Sequence, residues 1–145
     1  MSTKSDIEAI DQTRAMLVAA GLRTTAARTA VIRWLQSSKS PATHAEISAD
    51  LVPLGIDKAT VFRNLNELVK AGLLTRTEFG DHVWRFELRD PSHPDRGRHM
   101  HFVCVDCGTV TCLNDVDLIT DSEEWLPGVG QVTDIMVRGH CRACE

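Results

Sequence analysis

Two pairs of closely spaced cysteines constrain this chain more than any other feature of its sequence. Cys104 and Cys107 form one C-x2-C pair, and Cys141 and Cys144 form a second, separated from the first by 33 residues. A C-x2-C turn presents two thiolates to one ion, and two such turns complete the four-sulphur shell of a structural zinc site. Disulfides and a redox-active C-x2-C motif are the alternatives, but neither pair stands where a thioredoxin-like motif would, after a strand and at the start of a helix. The spacing therefore predicts a structural zinc held by four cysteines.

The overall composition is that of a globular protein. Of the 145 residues, 43% are apolar and 25% are charged, and no run of 18 apolar residues exists that could span a membrane. The first twelve residues lack the apolar core of a secretion signal, which indicates a cytoplasmic protein. In that reducing compartment, an odd count of five cysteines favours metal ligands or core residues over disulfides.

The first half of the chain has the periodicity of four helices followed by a β-hairpin. The helices are predicted over residues 5–21, 24–38, 40–51 and 57–72, and the hairpin over 73–88 around Gly80. Capping boxes are expected at Ser5 with Glu8 and at Thr43 with Glu46. Asp57 is the expected N-cap of the fourth helix. The residues expected to face the core are Ile7, Ile10, Leu17, Val18, Val31, Ile32, Leu35, Val61, Leu65 and Leu68. This order is typical of a winged helix-turn-helix, and we predict such a DNA-binding domain over residues 1–88.

The second half reads as a separate, smaller unit. Residues 89–98 are polar and contain two prolines and a glycine, which predicts a hinge. Strands are predicted at about 99–105, 109–113 and 131–138, with a helix at about 115–125. Gly108 and Gly139 flank the cysteine pairs, and we expect both to permit tight turns. A unit this small, residues 99–145, needs a metal or a partner subunit to stabilise its core. The predicted class is α+β, with a small α/β domain after the winged helix.

The charge is divided unevenly along the chain. The net charge is −4, but residues 13–76 carry nine Lys or Arg against four Asp or Glu, and residues 89–145 carry five against ten. The fourth helix offers small, hydroxyl and basic groups suited to the major groove, at Lys58, Thr60, Arg63 and Asn64. A surface helix with ordinary scattered charges would show the same pattern, so nucleic-acid binding is one of two interpretations.

Several motifs together resemble those of the ferric uptake regulator family of bacterial metal-responsive repressors. They are "GLRTTAAR" (21–28), "ATVFRNL" (59–65), "RFEL" (85–88), "HMHFVCVDCG" (99–108) and "GHCRAC" (139–144), in the family's order and spacing. The resemblance covers nearly the whole chain. It implies an N-terminal winged helix, a C-terminal dimerisation domain, a homodimer and metal-dependent binding to a palindromic operator in double-stranded DNA.

The resemblance also implies roles for residues of the DNA-binding half. Thr60, Phe62 and Arg63 would lie at the major groove, and Arg23 would lie near the DNA backbone. Phe62 stands where the family usually has tyrosine, so it loses a hydroxyl contact but can still touch a thymine methyl group. Packing of Phe62 against the helices is the alternative.

A second, regulatory metal site is suggested by His99 and His101. They lie two residues apart on a predicted strand, so both project from one face and can grip a transition metal. The resemblance adds Glu87 and, where the family has an acidic residue, Cys112. A thiolate at Cys112 beside imidazole would favour zinc over iron or manganese, although a buried apolar role or a redox role for Cys112 is also open.

Three further histidines are candidates for this regulatory site. His82 lies in the predicted wing, where some zinc-sensing members of the family recruit a ligand, and we include it in the expected ligand set. His44 lies at the start of the third helix, and His93 lies in the hinge. The family's own helix histidine falls at Ala42 here. Each of the three is otherwise an ordinary surface histidine.

The expected function is a metal-dependent repressor, with zinc as the sensed metal and metal-uptake genes as targets. In this hypothesis, metal binding fixes the hinge and sets the recognition helices of a dimer at the spacing of successive major grooves. An iron-responsive or peroxide-sensing member of the family is the alternative within this class. From other classes, a zinc-stapled interaction module would not switch with metal. A zinc hydrolase, suggested by the H-x-E triplet at His44, would leave the second cysteine pair unexplained.

Overall fold

The chain divides into two units that follow one another in sequence, Met1–Arg89 and Asp90–Glu145. The computed structural model describes residues 3–38, 40–89, 100–113, 128 and 135–145. Most of the predicted hinge lies outside the described residues, as do the predicted helix at 115–125, His93 and His99. The predicted domain boundaries therefore stay predictions.

The described residues of the first unit form four α-helices and a short 3-10 helix, close to the predicted places. They are α1 (Lys4–Ala19), α2 (Ala26–Ser37), α3 (His44–Leu51), the 3-10 helix (Val52–Leu54) and α4 (Lys58–Lys70). The predicted capping box of α3 is confirmed, because Thr43 accepts the Glu46 backbone N–H and Glu46 reaches back to the Thr43 backbone N–H. Asp57 caps α4 by accepting the Thr60 N–H at 2.7 Å, and this contact lowers the pKa of the Asp57 carboxyl.

The start and the inner face of α1 differ from the prediction. The capping box is formed by Thr3 and Asp6, not by Ser5 and Glu8. Thr3 and Asp6 have the same three-residue spacing as Ser5 and Glu8 but lie two residues earlier in the chain. Ser5 therefore lies inside the first turn of α1. Two of the residues expected to face the core, Ile7 and Val18, are exposed, whereas Leu17 is fully buried. The expectation that Ile7 and Val18 face the core with Leu17 is therefore wrong.

Three strands form the wing sheet of the first unit. They are β1 (Ala42–Thr43), β2 (Leu74–Glu78) and β3 (Trp84–Leu88), in the order β1-β3-β2 with antiparallel pairing. The predicted hairpin around Gly80 is confirmed. In its turn the Glu78 carboxylate accepts the backbone N–H groups of Gly80 and His82, and His82 adopts a left-handed backbone with φ of 60°.

The core of the first unit lies between α2, α3, α4 and the inner side of the wing sheet. Its buried members are Leu17, Val31, Ile32, Leu35, Ala42, Ile47, Leu51, Val61, Leu65, Leu68, Leu74 and Phe86. The inward stripes predicted for α2 and α4 are thus confirmed. Burial of these side chains fixes the orientation of α4, so that Lys58, Phe62 and Arg63 lie on its exposed face.

Within the part of the second unit that the structure describes, three strands form one sheet. Its strands are β4 (Met100–Cys104), β5 (Val110–Leu113) and β6 (Ile135–Gly139), in the order β5-β4-β6. β4 pairs with β5 in the antiparallel sense and with β6 in the parallel sense. The winged helix-turn-helix followed by this small sheet confirms the predicted α+β class. Among the helices that the structure describes, none has the length and apolar character to cross a membrane.

Candidate functional site

The two cysteine pairs meet at one end of the second sheet. β4 and β6 run parallel with Cys104 opposite Gly139, so the turns that follow the two strands lie side by side. All four thiols lie within 4.8 Å of one another. The Sγ atoms of Cys107 and Cys141 are 3.8 Å apart, which is about the separation expected for two sulphurs bound at about 2.3 Å to one tetrahedral zinc. The separations and the four-thiolate donor set fit one tetrahedral zinc.

Backbone hydrogen bonds shape both turns around the four thiols. After the first pair, Gly108 has a φ of 75° and donates its N–H to the Cys104 carbonyl at 3.0 Å. This confirms the turn expected at Gly108. Gly139 does not have a left-handed backbone; a Cβ there would lie 3.2 Å from the Phe102 ring, so Gly139 serves close packing between β6 and β4. Its predicted role in a tight turn is therefore wrong.

The thiols titrate unequally because they differ in their hydrogen-bond donors. The backbone N–H groups of Cys107 and Cys141 lower the pKa of the Cys104 thiol to about 6. The Thr109 hydroxyl, 3.0 Å from the Cys107 sulphur, lowers the pKa of Cys107. The thiols of Cys141 and Cys107 raise the pKa of Cys144 to about 12. Four thiolates this close repel one another, so full ionisation of the cluster requires a cation among them.

A histidine and an aspartate join the two cysteine turns outside the cluster. Asp106 directly precedes Cys107, His140 directly precedes Cys141, and the His140 Nδ1 and Asp106 Oδ2 atoms are 2.5 Å apart. Sequence reasoning missed this pair. The symmetric placement of the two residues, each one before a cysteine, was a signal that could have found it.

Two of the predicted regulatory residues, His101 and Cys112, lie on neighbouring strands of the second unit. His101 and Cys112 stand opposite each other on β4 and β5, and a ring nitrogen of His101 lies within 4.8 Å of the Cys112 sulphur. His101 is 5% exposed and Cys112 is half-buried. An imidazole and a thiol at this distance could hold the same metal ion.

The other residues predicted for the regulatory site lie in the first unit or outside the described residues. Glu87 is half-buried on β3, opposite Thr75 of β2. His82 is exposed at the hairpin turn. The predicted roles of Glu87, His82 and His99 as ligands are not tested by these positions.

The outer face of α4 presents most of the side chains predicted to meet nucleic acid. Lys58, Phe62 and Arg63 are exposed and Thr60 is half-buried, with Phe62 52% exposed although it is a large apolar residue. Asn64 differs from the prediction. It is 6% exposed, and its side-chain amide donates to the Thr60 carbonyl at 2.8 Å. The expectation that Asn64 shares the exposed face is therefore wrong.

An arginine that sequence reasoning did not single out holds α4 against α2. The Arg28 guanidinium donates to the Glu67 carboxylate at 2.5 Å and to the backbone carbonyl of Arg23 at 2.9 Å. Arg28 thereby fixes the exposed Arg23 turn relative to the helix that carries Glu67.

His44 also contacts the start of α4. Its Nε2 atom is 2.9 Å from the Lys58 carbonyl oxygen, so this nitrogen carries the proton and donates it. The His44 and Phe62 rings lie edge to face, with centroids 5.4 Å apart and planes at 69°. The nitrogen that donates to Lys58 is not free to bind a metal in this arrangement.

Comparison with known families gives a match over most of the chain. The model of the ferric uptake regulator family matches residues 19–134. This span contains the wing sheet, α4 and the first cysteine pair.

Individual relatives agree with the family match. A ferric uptake regulation protein from Bordetella parapertussis is 40% identical over 70 residues, an alignment that covers 48% of this chain and 45% of that protein. The peroxide-responsive repressor PerR from Staphylococcus epidermidis is 30% identical over 154 aligned positions, covering 97% of this chain and 96% of the relative. The crystal structure of the ferric uptake regulator from Vibrio cholerae is similar with a TM-score of 0.64 and 29% identity, and the match covers 88% of this chain and 98% of that one.

Proposed function

The chain belongs to the ferric uptake regulator family, and from this premise we propose that it represses transcription when zinc occupies a regulatory site. Its relatives are named as a ferric uptake regulation protein and a peroxide-responsive repressor, and neither name is that of an enzyme. As a member of this family, the chain is a metal-dependent transcriptional regulator. The proposal adds the sensed metal, the ligands and the mode of DNA binding.

The proposed structural metal is zinc, held by the four cysteines. Support comes from the thiol separations within 4.8 Å and from the chemistry of a four-thiolate set, which in proteins is typical of structural zinc. When bound, zinc would supply the charge that lets all four thiols ionise together. It would also link the ends of β4 and β6. This link would stabilise a unit that is too small to form a stable apolar core by itself.

The observation that carries the proposed zinc sensing is the pairing of His101 with Cys112. A thiol replaces the carboxylate expected at position 112 from the family pattern, and it stands directly opposite a nearly buried imidazole. Sulphur and nitrogen ligands together favour zinc over iron or manganese. We propose His99, Glu87 and His82 as the remaining ligands on the strength of the family resemblance.

The proposed partner is double-stranded DNA with a palindromic operator, bound by a homodimer. The exposed Lys58, Phe62 and Arg63 of α4 support entry of that helix into the major groove, and the exposed Arg23 supports a phosphate contact. Regulatory zinc would favour the arrangement of the dimer that places both recognition helices on one face of the duplex.

The proposal is tested by counting zinc ions and measuring DNA affinity on the same preparation. The reduced protein is titrated with zinc in competition with a chelator of known affinity. DNA binding is followed by fluorescence anisotropy with a duplex that the protein has enriched from random sequences. We expect two zinc ions per protomer, of which one exchanges readily. Removing the exchangeable ion should weaken DNA binding by about 5- to 150-fold, the usual range of such coupling.

A matched pair of variants assigns the exchangeable ion. Cys112→Ser should weaken that site and leave the four-cysteine zinc in place, whereas Thr111→Ser, at the exposed neighbouring position, should behave as the parent protein. A single zinc per protomer, or a DNA affinity that does not respond to metal, would overturn the proposal.

A second candidate function is peroxide sensing through iron. It is favoured by the similarity to a peroxide-responsive repressor over nearly the whole chain. In that case the protein loaded with Fe²⁺ would lose DNA affinity after treatment with hydrogen peroxide, and Cys112→Ser would retain the response. Zinc-loaded protein that binds DNA and resists peroxide would exclude this candidate.

A further inference from the structure

His44 contacts the recognition helix in two independent ways. Its Nε2 proton is donated to the Lys58 carbonyl in the first turn of α4, and its ring lies edge to face with Phe62, one turn further on. The Lys58 carbonyl is also the helical acceptor for the Phe62 backbone N–H. The two contacts therefore meet α4 one turn apart, at the Lys58 backbone and at the exposed Phe62 ring.

His44 is itself held firmly by the fold. It is the first residue of α3, and it follows Thr43, which pairs with Arg85 in the wing sheet and caps α3. A side chain anchored at a strand end and a capped helix start has little freedom to move. The wing sheet, α3 and α4 are thus joined at one point, and that point touches Phe62.

Because Phe62 is 52% exposed, packing restrains its ring only in part, and a contact from a neighbouring side chain can select one ring orientation. A phenylalanine on a helix surface can adopt two side-chain rotamers and several ring tilts. Fixing one side chain at an interface weakens binding by about two- to tenfold when the free protein does not already hold it. The edge-to-face contact with His44 supplies a restraint of this kind.

We propose that His44 is a specificity-determining residue that holds the Phe62 ring in the orientation that reads a thymine methyl group. The inference rests on the proposed function, since it requires α4 to enter the major groove of DNA. His44 acts through Phe62 and is a positioning residue, and it contacts no base itself. The alternative is that His44 only stabilises the start of α4, in which case its loss would weaken binding to every duplex equally.

The test compares thymine with uracil in the same operator. Zinc-loaded full-length protein first enriches a duplex from random sequences, and each thymine of that duplex is then replaced by uracil, which removes only the methyl group. At the contacted position the parent protein should lose about fourfold in affinity, the amount expected for one buried methyl group. Phe62→Ala should lose this discrimination at the same position.

Two substitutions at His44 separate its two contacts. His44→Gln keeps a donor for the Lys58 carbonyl but has no ring, and we expect its thymine-to-uracil ratio to fall below about twofold. His44→Phe keeps the ring edge without the donor and should retain the ratio of the parent. Trp34→Phe is the control, because it removes a similar anchor of α3, the 2.7 Å hydrogen bond from Trp34 to Asp50, away from Phe62.

The outcomes separate this inference from the function on which it rests. Failure of the parent protein to enrich any sequence would refute the proposed function, and the inference with it, before a variant is made. Sequence-specific binding with no thymine-to-uracil difference would overturn the inference alone. It would also be overturned if His44→Gln keeps the fourfold ratio, or if Trp34→Phe loses it to the same extent.

Discussion

At the scale of single residues, the position of α4 depends on a half-buried ion pair. The Arg28 side chain is 15% exposed and Glu67 is 39% exposed, with 2.5 Å between their charged atoms. Because Arg28 also donates to the Arg23 carbonyl, one guanidinium fixes both the turn at Arg23 and α4. The pair is more than a surface salt bridge, since its arginine is largely withdrawn from water.

Loss of the carboxylate should therefore destabilise the first unit. We expect Glu67→Ala to lower the free energy of unfolding by about 1–2 kcal/mol. Arg28 would keep its charge but lose the carboxylate acceptor, and water that reaches the partly exposed guanidinium would replace that acceptor only in part. Urea denaturation followed by circular dichroism measures this. Glu8→Ala, at an exposed position of α1, should change the free energy by less than about 0.5 kcal/mol. Equal effects of the two substitutions would contradict the prediction.

Two residues show what the sequence could and could not predict at this scale. Asn64 follows Val61 by three positions and precedes Leu68 by four, so helical spacing alone placed it on the buried face, and its polar side chain led to the wrong assignment. His44 could not have been found in this way. Its contacts with Lys58 and Phe62 depend on how α3 crosses α4, which no local pattern encodes.

At the scale of elements, the turn after the first cysteine pair determines the shape of the thiol cluster. Gly108 adopts a φ of 75°, and a Cβ at this position would meet no atom within 4 Å. The requirement for glycine is thus one of backbone conformation and not of space. Any residue that tolerates a left-handed backbone would preserve the turn.

A pair of substitutions at Gly108 tests this reasoning. Gly108→Ala should weaken zinc retention by about fivefold, because alanine in the left-handed region costs about 1 kcal/mol relative to glycine. Gly108→Asn should cost less, since asparagine adopts this conformation more readily. The rate of zinc loss to an excess of chelator is the measurement. Similar rates for both variants would show that the turn does not depend on backbone conformation.

Elements differ in how well the sequence predicted them, for identifiable reasons. The helices α2, α3 and α4 and the wing hairpin have strong caps or apolar periodicity, and they were placed nearly correctly. The start of α1 was misplaced because two overlapping capping boxes were available in the sequence, and Thr3 with Asp6 was the one formed. The strand β1 was missed because it is two residues long and exists only through its pairing with β3.

At the scale of the whole molecule, the two units carry opposite charge and separate chemistry. The net charge of −4 would argue against DNA binding if it were evenly spread, but the acidic excess lies in residues 89–145. The first unit exposes Arg23, Lys58 and Arg63, and the second contains the four thiols. The order of motifs predicted this division, whereas the pairing of His101 with Cys112 depended on the register of β4 and β5.

The thiol cluster also links metal binding, and with it the folding of the second unit, to pH. Zinc binds only thiolates, so every cysteine that is protonated in the metal-free cluster must release its proton. With a pKa near 12, Cys144 is protonated at neutral pH, whereas Cys104, with a pKa near 6, is already largely ionised. Zinc binding at pH 7 should therefore release at least one proton, and affinity should rise with pH. Below about pH 6, where Cys104 also takes up a proton, affinity should fall more steeply. Calorimetric titration of the reduced metal-free protein in buffers of different ionisation enthalpy measures the protons released, and a heat independent of the buffer at pH 7 would contradict the prediction.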